Sequence, residues 1–215
     1  MGRRLDHLAA FQIGGAHVRT ADRAERVRVA KRPGWRRAEL SGRLVELSAH
    51  GAGSALSCAL DLIHDAQLAG EPCAWVAMGE GAFYPPDAAE NGIDLAALPV
   101  VFARDTKAAW RAADHLLRSG GFGVVVLDLG EADLTLAAQA RLAGLAKKHD
   151  AALVALTRKE ADTPSLGSLV SLRAHAVRRM LEDGRFLAGV RAIKDKRRGP
   201  GWTDETIRDA PAGFR

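Results

Sequence analysis

From residue 39 onward the apolar positions follow two alternating rhythms. Short runs rich in apolar residues occur at Leu44–Ser48, Cys73–Met78, Val100–Ala103, Val124–Leu127 and Ala152–Thr157. Runs of this length, without strict alternation, predict strands covered on both faces. Between them the spacing becomes helical. Ser54–Ala69 carries Leu56, Ala59, Leu60, Ile63 and Leu68 at helical spacing and is closed by Gly70. Pro85–Pro86 opens a short helix ending near Gly92. Thr106–Arg118 has Asp105 placed to cap it and Gly120–Gly121 beyond it, and Leu134–Lys148 follows. Strands alternating with helices predict an α/β fold, a mainly parallel sheet flanked by helices.

The rhythm changes near residue 169. Leu169–Met180 and Phe186–Ala192 read as two strands joined at "EDGR", where Asp183-Gly184 signals a hairpin. This predicts an antiparallel C-terminal extension of the sheet. Residues 1–38 follow neither rhythm and read as an extended basic N-terminal arm. The expected organisation is therefore an arm over 1–38, an α/β core over 39–200 and a tail over 201–215.

Composition adds little until charge is placed along the chain. With 215 residues, 47% hydrophobic and 27% charged, one full-sized core is expected. No stretch approaches the roughly 18 uninterrupted apolar residues of a membrane span, and no secretory leader is visible, so the expected location is the cytoplasm. Cys58 and Cys73 read as buried thiols rather than a disulfide framework, and the seven scattered histidines form no ligand pattern. No metal or cofactor is expected. The net charge of +5 conceals a segregation: +7 over residues 1–43, −7 over 44–172, +6 over 173–198 and −1 over the tail. Two basic segments around an acidic middle suit nucleic acid or an acidic partner, a solubilising surface, or pairing with the acidic middle itself.

The strongest chemical signal is negative. "ELSAHGAGSALS" lies between a predicted strand and helix, where a phosphate loop GxxxxGK[ST] would lie. The eight corresponding residues are Ala49, His50, Gly51, Ala52, Gly53, Ser54, Ala55 and Leu56. Ser54 stands at the final glycine position, Ala55 at the lysine and Leu56 at the magnesium hydroxyl. No Lys or Arg occurs from Leu44 to Ala103, and Ser57 offers a hydroxyl only one residue late. A charge-assisted hydrogen bond contributes about 1.5–3 kcal/mol, so losing the lysine and the metal ligand together leaves little affinity for a triphosphate. Two carboxylates stand where a nucleotide-hydrolysing fold would use them. Asp128 ends the strand "VVVLD", with a loop or capping role as the alternative. Glu80 follows the second strand in "MGEGAF", with a solvated turn as the alternative.

The order of these pieces resembles the core of the bacterial recombinase RecA over roughly residues 40–200. "RLVELSAHGAGSALSCALDLIHDAQLAGEPCAWVA" resembles its first strand, phosphate loop, helix and second strand. "NGIDLAALPVVFARDTKAAWRAADHLLRSGGFGVVVLDL" resembles the segment through the Walker B strand, and "VSLRAHAVRRM" with "FLAGVRAIKDKRRGP" the late strands. The resemblance implies that Asp128 matches the Walker B aspartate and Glu80 the catalytic glutamate. It also implies that Thr157 replaces the glutamine coupling ATP to DNA binding, and that both DNA-binding loops are shortened. A RecA core pared down in this way is most similar to the ImuA family, which shares "YPPDAAENGIDLAALPVVF" and a basic segment like "KDKRRGP". That resemblance implies action in damage-induced translesion synthesis with ImuB and a DnaE2-type polymerase, and RecA as a partner.

Three functional readings result. The first is a non-enzymatic SOS-mutagenesis adaptor that binds RecA and the ImuB–DnaE2 assembly and restrains recombination. The second is a DNA-binding module using Arg19, Arg23, Arg26, Arg28, Lys31, Arg32, Arg36 and Arg37 of the arm and Lys194, Lys196, Arg197 and Arg198 of the late strands. The third is an ATPase with an unorthodox loop.

Overall fold

The structure is a computed structural model, and it describes residues 34–51, 54–79 and 83–209. Its centre is one eight-stranded mixed sheet in the order β3-β2-β4-β5-β1-β6-β7-β8. The strands are β1 (Arg43–Ala49), β2 (Cys73–Met78), β3 (Val100–Ala103), β4 (Val124–Gly130), β5 (Ala152–Arg158), β6 (Leu172–Met180), β7 (Phe186–Asp195) and β8 (Thr203–Arg208). The helices are α1 (Arg37–Leu40), α2 (Ala55–Leu68), α3 (Pro85–Glu90), α4 (Thr106–Ser119) and α5 (Leu136–Lys148), with one 3₁₀ turn at Leu95–Ala97. Strands β1 to β6 pair in parallel, while β6–β7 and β7–β8 pair antiparallel. The expected α/β architecture is present, and its antiparallel part has three strands rather than a hairpin alone.

Two apolar layers sandwich the parallel part. On one side Val45 and Leu47, with Trp75, Val126 and Val154, pack under Cys58, Ala59, Leu62 and Ile63 of α2. On the other, Leu44, Val76, Val125, Leu127 and Leu153 pack against Ala109, Ala113 and Leu117 of α4 and Leu142 and Ala146 of α5. Every residue of β1 is therefore buried, its polar Arg43, Glu46 and Ser48 as well as its apolar residues.

Helix ends follow the local chemistry. Asp105 caps α4 through Ala108 N–H at 2.7 Å, and Gly120 closes it in the left-handed conformation at φ 70°. Thr135 caps α5, so that helix begins at Leu136 rather than at Leu134. The β6–β7 turn places Gly184 at φ 78°.

Several boundaries differ from expectation. β4 runs past Leu127 to Gly130, because Asp128 and Gly130 remain paired with Leu156 and Thr157 of β5 across a bulge. Ser171 and the residues before it lie outside β6; Ser171 N–H instead donates to the Leu44 carbonyl at 2.9 Å. The segment read as a tail supplies β8, whose alternating exposed and half-buried residues lack any apolar run. At the other end, Trp35 and the first two residues of α1, Arg37 and Ala38, belong to the folded core although they fall within the expected arm. Trp35 is buried, its backbone N–H donating to Asp204 at 2.6 Å and its indole to the Cys58 carbonyl at 2.9 Å. Residues 1–33 of the arm lie outside the described residues.

Candidate functional site

The chain leaves β1 through α2 toward β2 on one side of the sheet and returns from β5 past β1 to β6 on the other. In open α/β sheets the carboxyl ends of strands at such a divergence form the ligand crevice. The degenerate loop occupies that place, with Ala49 ending β1 and Ala55 opening α2.

The loop residues are turned to packing. Ser54 is buried, and its hydroxyl donates to the Val177 carbonyl of β6 at 2.7 Å, with the Gly189 carbonyl of β7 at 3.5 Å. It stands at the N-cap position of α2 yet caps no helix N–H. Ala49 is buried, Ala55 half-buried and Leu56 50% exposed. Gly51 takes φ 61°, which a side chain would strain. Ala52 and Gly53 lie outside the described residues, as does Glu80. His50 is exposed, its Nε2 3.8 Å from Glu160.

Asp128 is half-buried within β4, on the α2 side of the sheet. Burial pushes its carboxyl pKa upward, against the Gly130 N–H and the charge of Arg158, which pull it down. Arg158 ends β5 in register with Ala49 and alternates onto the same side as Leu156. A cation absent from the loop's own sequence thus reaches this edge from a strand more than a hundred residues away. The periodicity that predicts β5 could have revealed its side of the sheet, but not its register with β1.

Thr157 has a structural partner that sequence reasoning missed. Glu46, fully buried on β1, accepts hydrogen bonds from the Thr157 hydroxyl at 3.1 Å, the Ser165 hydroxyl at 2.7 Å and Leu166 N–H at 2.9 Å. One carboxylate therefore pins the β5–β6 connection over β1. Beside it the Ser48 hydroxyl and His175 Nδ1 are 3.1 Å apart, and burial followed by Arg191 holds the His175 pKa below the usual histidine range.

The basic residues divide into three groups. Arg19, Arg23, Arg26, Arg28, Lys31 and Arg32 lie outside the described residues. Several others serve the fold itself. Arg37 pairs with Glu71 at 3.2 Å and reaches the Asp150 carbonyl at 3.3 Å. Arg197 donates to the Ser41 carbonyl at 3.0 Å, Arg198 pairs with Glu39 and lies over Trp202, and Lys196 reaches the Ser168 carbonyl at 2.5 Å. Arg36 and Lys194 are half-buried, and burial, then neighbouring Lys196, lowers the Lys194 pKa. The third group, Arg179 and Arg191, was not singled out by the sequence; both are exposed on β6 and β7.

Cys58 and Cys73 are free, buried thiols whose pKa values burial pushes up to about 12. Among the described residues no group of three His, Cys, Asp or Glu is placed to hold a metal ion, and no helix is long and apolar enough to cross a membrane. The arrangement offers packing and hydrogen bonds where a nucleotide site would need a lysine and a metal-binding hydroxyl. The chain matches no protein-family model and no curated protein sequence.

Proposed function

We propose that this protein is a non-catalytic, RecA-like accessory factor of damage-induced translesion synthesis, working by contact with RecA and an ImuB–DnaE2 polymerase assembly. The observation that carries the non-catalytic part is the position of Ser54. The first residue of the loop-to-helix junction spends its hydroxyl on the backbone of β6 and β7, while Ala55 and Leu56 present methyl groups where a triphosphate needs a cation and a metal ligand. The sheet supports the RecA-like part: a strand–loop–helix unit sits at its centre and an antiparallel extension follows the last parallel strand. A protomer that lacks the nucleotide-dependent contact docks on one RecA neighbour and recruits no further one, so it restrains filament growth.

Two measurements test this reading. Calorimetry with millimolar ATP and magnesium is expected to show no binding; a saturable heat would overturn the non-catalytic assignment. Stoichiometric addition to a RecA strand-exchange reaction is expected to slow it, and an unchanged rate would remove the proposed inhibition.

A further inference from the structure

The apolar layer formed by α4 and α5 covers β1 to β5 but does not reach the antiparallel strands. On that side of the sheet β6, β7 and β8 present three uncovered cross-strand rows. Arg179, Leu187 and Ile207 form the outermost row, and Val177, Gly189 and Glu205 the next. His175, Arg191 and Thr203 complete the set, because the next pair is covered: Arg173 is buried and donates to the Glu160 and Thr163 carbonyls of the β5–β6 connection. The opposite side of the same strands is occupied, since Ala174, Ala176, Val190 and Ala192 pack toward α2.

This uncovered face is mixed in a specific way. Arg179 and Arg191 are exposed and have no ion-pair partner among the described residues. Val177 and Leu187 are half-buried and Ile207 is 41% exposed, so apolar area lies beside each cation. Gly189 leaves the middle of the second row without a side chain. We infer that this face of β6–β8 docks an acidic segment of a partner protein that carries apolar side chains between its carboxylates. Charge complementarity selects the acidic partner, and the apolar positions favour protein over nucleic acid. Phosphates would leave Val177, Leu187 and Ile207 without apolar cover, whereas an acidic–apolar segment uses both the cationic and the apolar positions. The inference stands apart from the RecA-like reading, and its failure leaves that reading untouched.

The test is fluorescence anisotropy with the full chain and three labelled probes: a synthetic peptide alternating Asp/Glu with Leu/Ile, a peptide of Glu alone, and a single-stranded oligonucleotide. The alternating peptide is expected to bind, more weakly as salt rises. Charge reversal by Arg179→Glu with Arg191→Glu is expected to weaken it by about tenfold or more, near 1.4 kcal/mol. Ile207→Ser is expected to weaken the alternating peptide and leave the Glu-only peptide unchanged. Arg179→Gln with Arg191→Gln serves if the reversed variant loses its circular-dichroism spectrum. Unchanged peptide affinity in the arginine variants overturns the inference. So does a silent Ile207→Ser combined with loss of oligonucleotide binding in the arginine variants, which would make the face a phosphate reader.

Discussion

Arg43 and Asp195, 152 residues apart, form a fully buried ion pair at 2.5 Å between the start of β1 and the end of β7. Burial opposes the charge on both groups. It lowers the Arg43 pKa, while the Arg197 N–H and the Arg43 guanidinium outweigh it at Asp195 and bring that carboxyl below its ordinary value. The remaining donors and acceptors are met: Arg43 reaches the Ser171 hydroxyl and carbonyl at 2.9 and 3.0 Å, and Asp195 accepts from Arg197 N–H and the Trp202 indole at 2.9 and 3.0 Å. A buried charge left alone is costly. Arg43→Ala or Asp195→Ala is expected to lose about 3–5 kcal/mol in urea unfolding. Arg43→Met with Asp195→Leu is expected to lose less than either single change. A loss below about 1 kcal/mol for the single variants would show the pair to be dispensable.

Glu46 should behave as a clamp. Its oxygens accept from Thr157, Ser165 and Leu166, so Glu46→Gln turns one acceptor into a donor facing donors. The expected loss is about 1.5–3 kcal/mol, with faster amide hydrogen exchange at Leu166 and Val170. Unaltered exchange at those amides would mean that Glu46 does not hold the connection.

Ser54→Ala tests whether the loop position is structural. Its hydroxyl bond to Val177 is the loss expected to dominate, about 1 kcal/mol in thermal or urea unfolding. A phosphate-binding role predicts instead a stable protein with altered nucleotide binding, which the same sample can report by calorimetry.

Acid stability divides by sign between two aspartates. At Asp114 burial acts upward, but Arg141 and Arg118 win and its pKa is lowered. A lowered carboxylate contributes stability above its unfolded pKa of about 3.9, and this contribution fades as pH falls through the folded value. Asp114→Asn is therefore expected to destabilise at neutral pH and to become nearly neutral in acid. At Asp128 the pKa is raised, so the ionised form costs stability at neutral pH and the cost is relieved as pH falls through the folded value. Asp128→Asn keeps an acceptor for Gly130 N–H and is expected to raise the unfolding midpoint at neutral pH. A lowered midpoint would show that Asp128 is held by interactions of its charge.

Gly189 faces the Asp204 carbonyl so closely that a Cβ would collide with it. Gly189→Ala is expected to push β8 away, at about 1–3 kcal/mol, and to weaken the Trp35 contact with Asp204. Tryptophan fluorescence shifting to longer wavelength would report this; an unchanged spectrum and stability would show that β8 yields freely.

Most of the parallel sheet was legible because burial on both faces writes continuous apolar runs, and "VVVL" and "ALVAL" could be little else. Asp105 and Gly120 announced α4 through chemistry that acts within a few residues. β8 was illegible for the opposite reason. "TDETIR" carries one apolar residue, and its place as a strand comes from pairing with β7 and from Trp35 and Arg208 on its inner side.

The candidate site divides along the same line. Sequence alone determined that the loop lacks a lysine and a metal hydroxyl, because side-chain chemistry is local and Ala55 and Leu56 offer none. Only the tertiary structure decided that Ser54 serves the β6–β7 backbone, that Glu46 clamps the β5–β6 connection, and that Arg197 and Arg198 tie down residues 39–41. It also decided that Arg179 and Arg191 share an uncovered face. Each of those facts depends on strand register, and register is set by packing between segments up to about 150 residues apart, which no local pattern encodes.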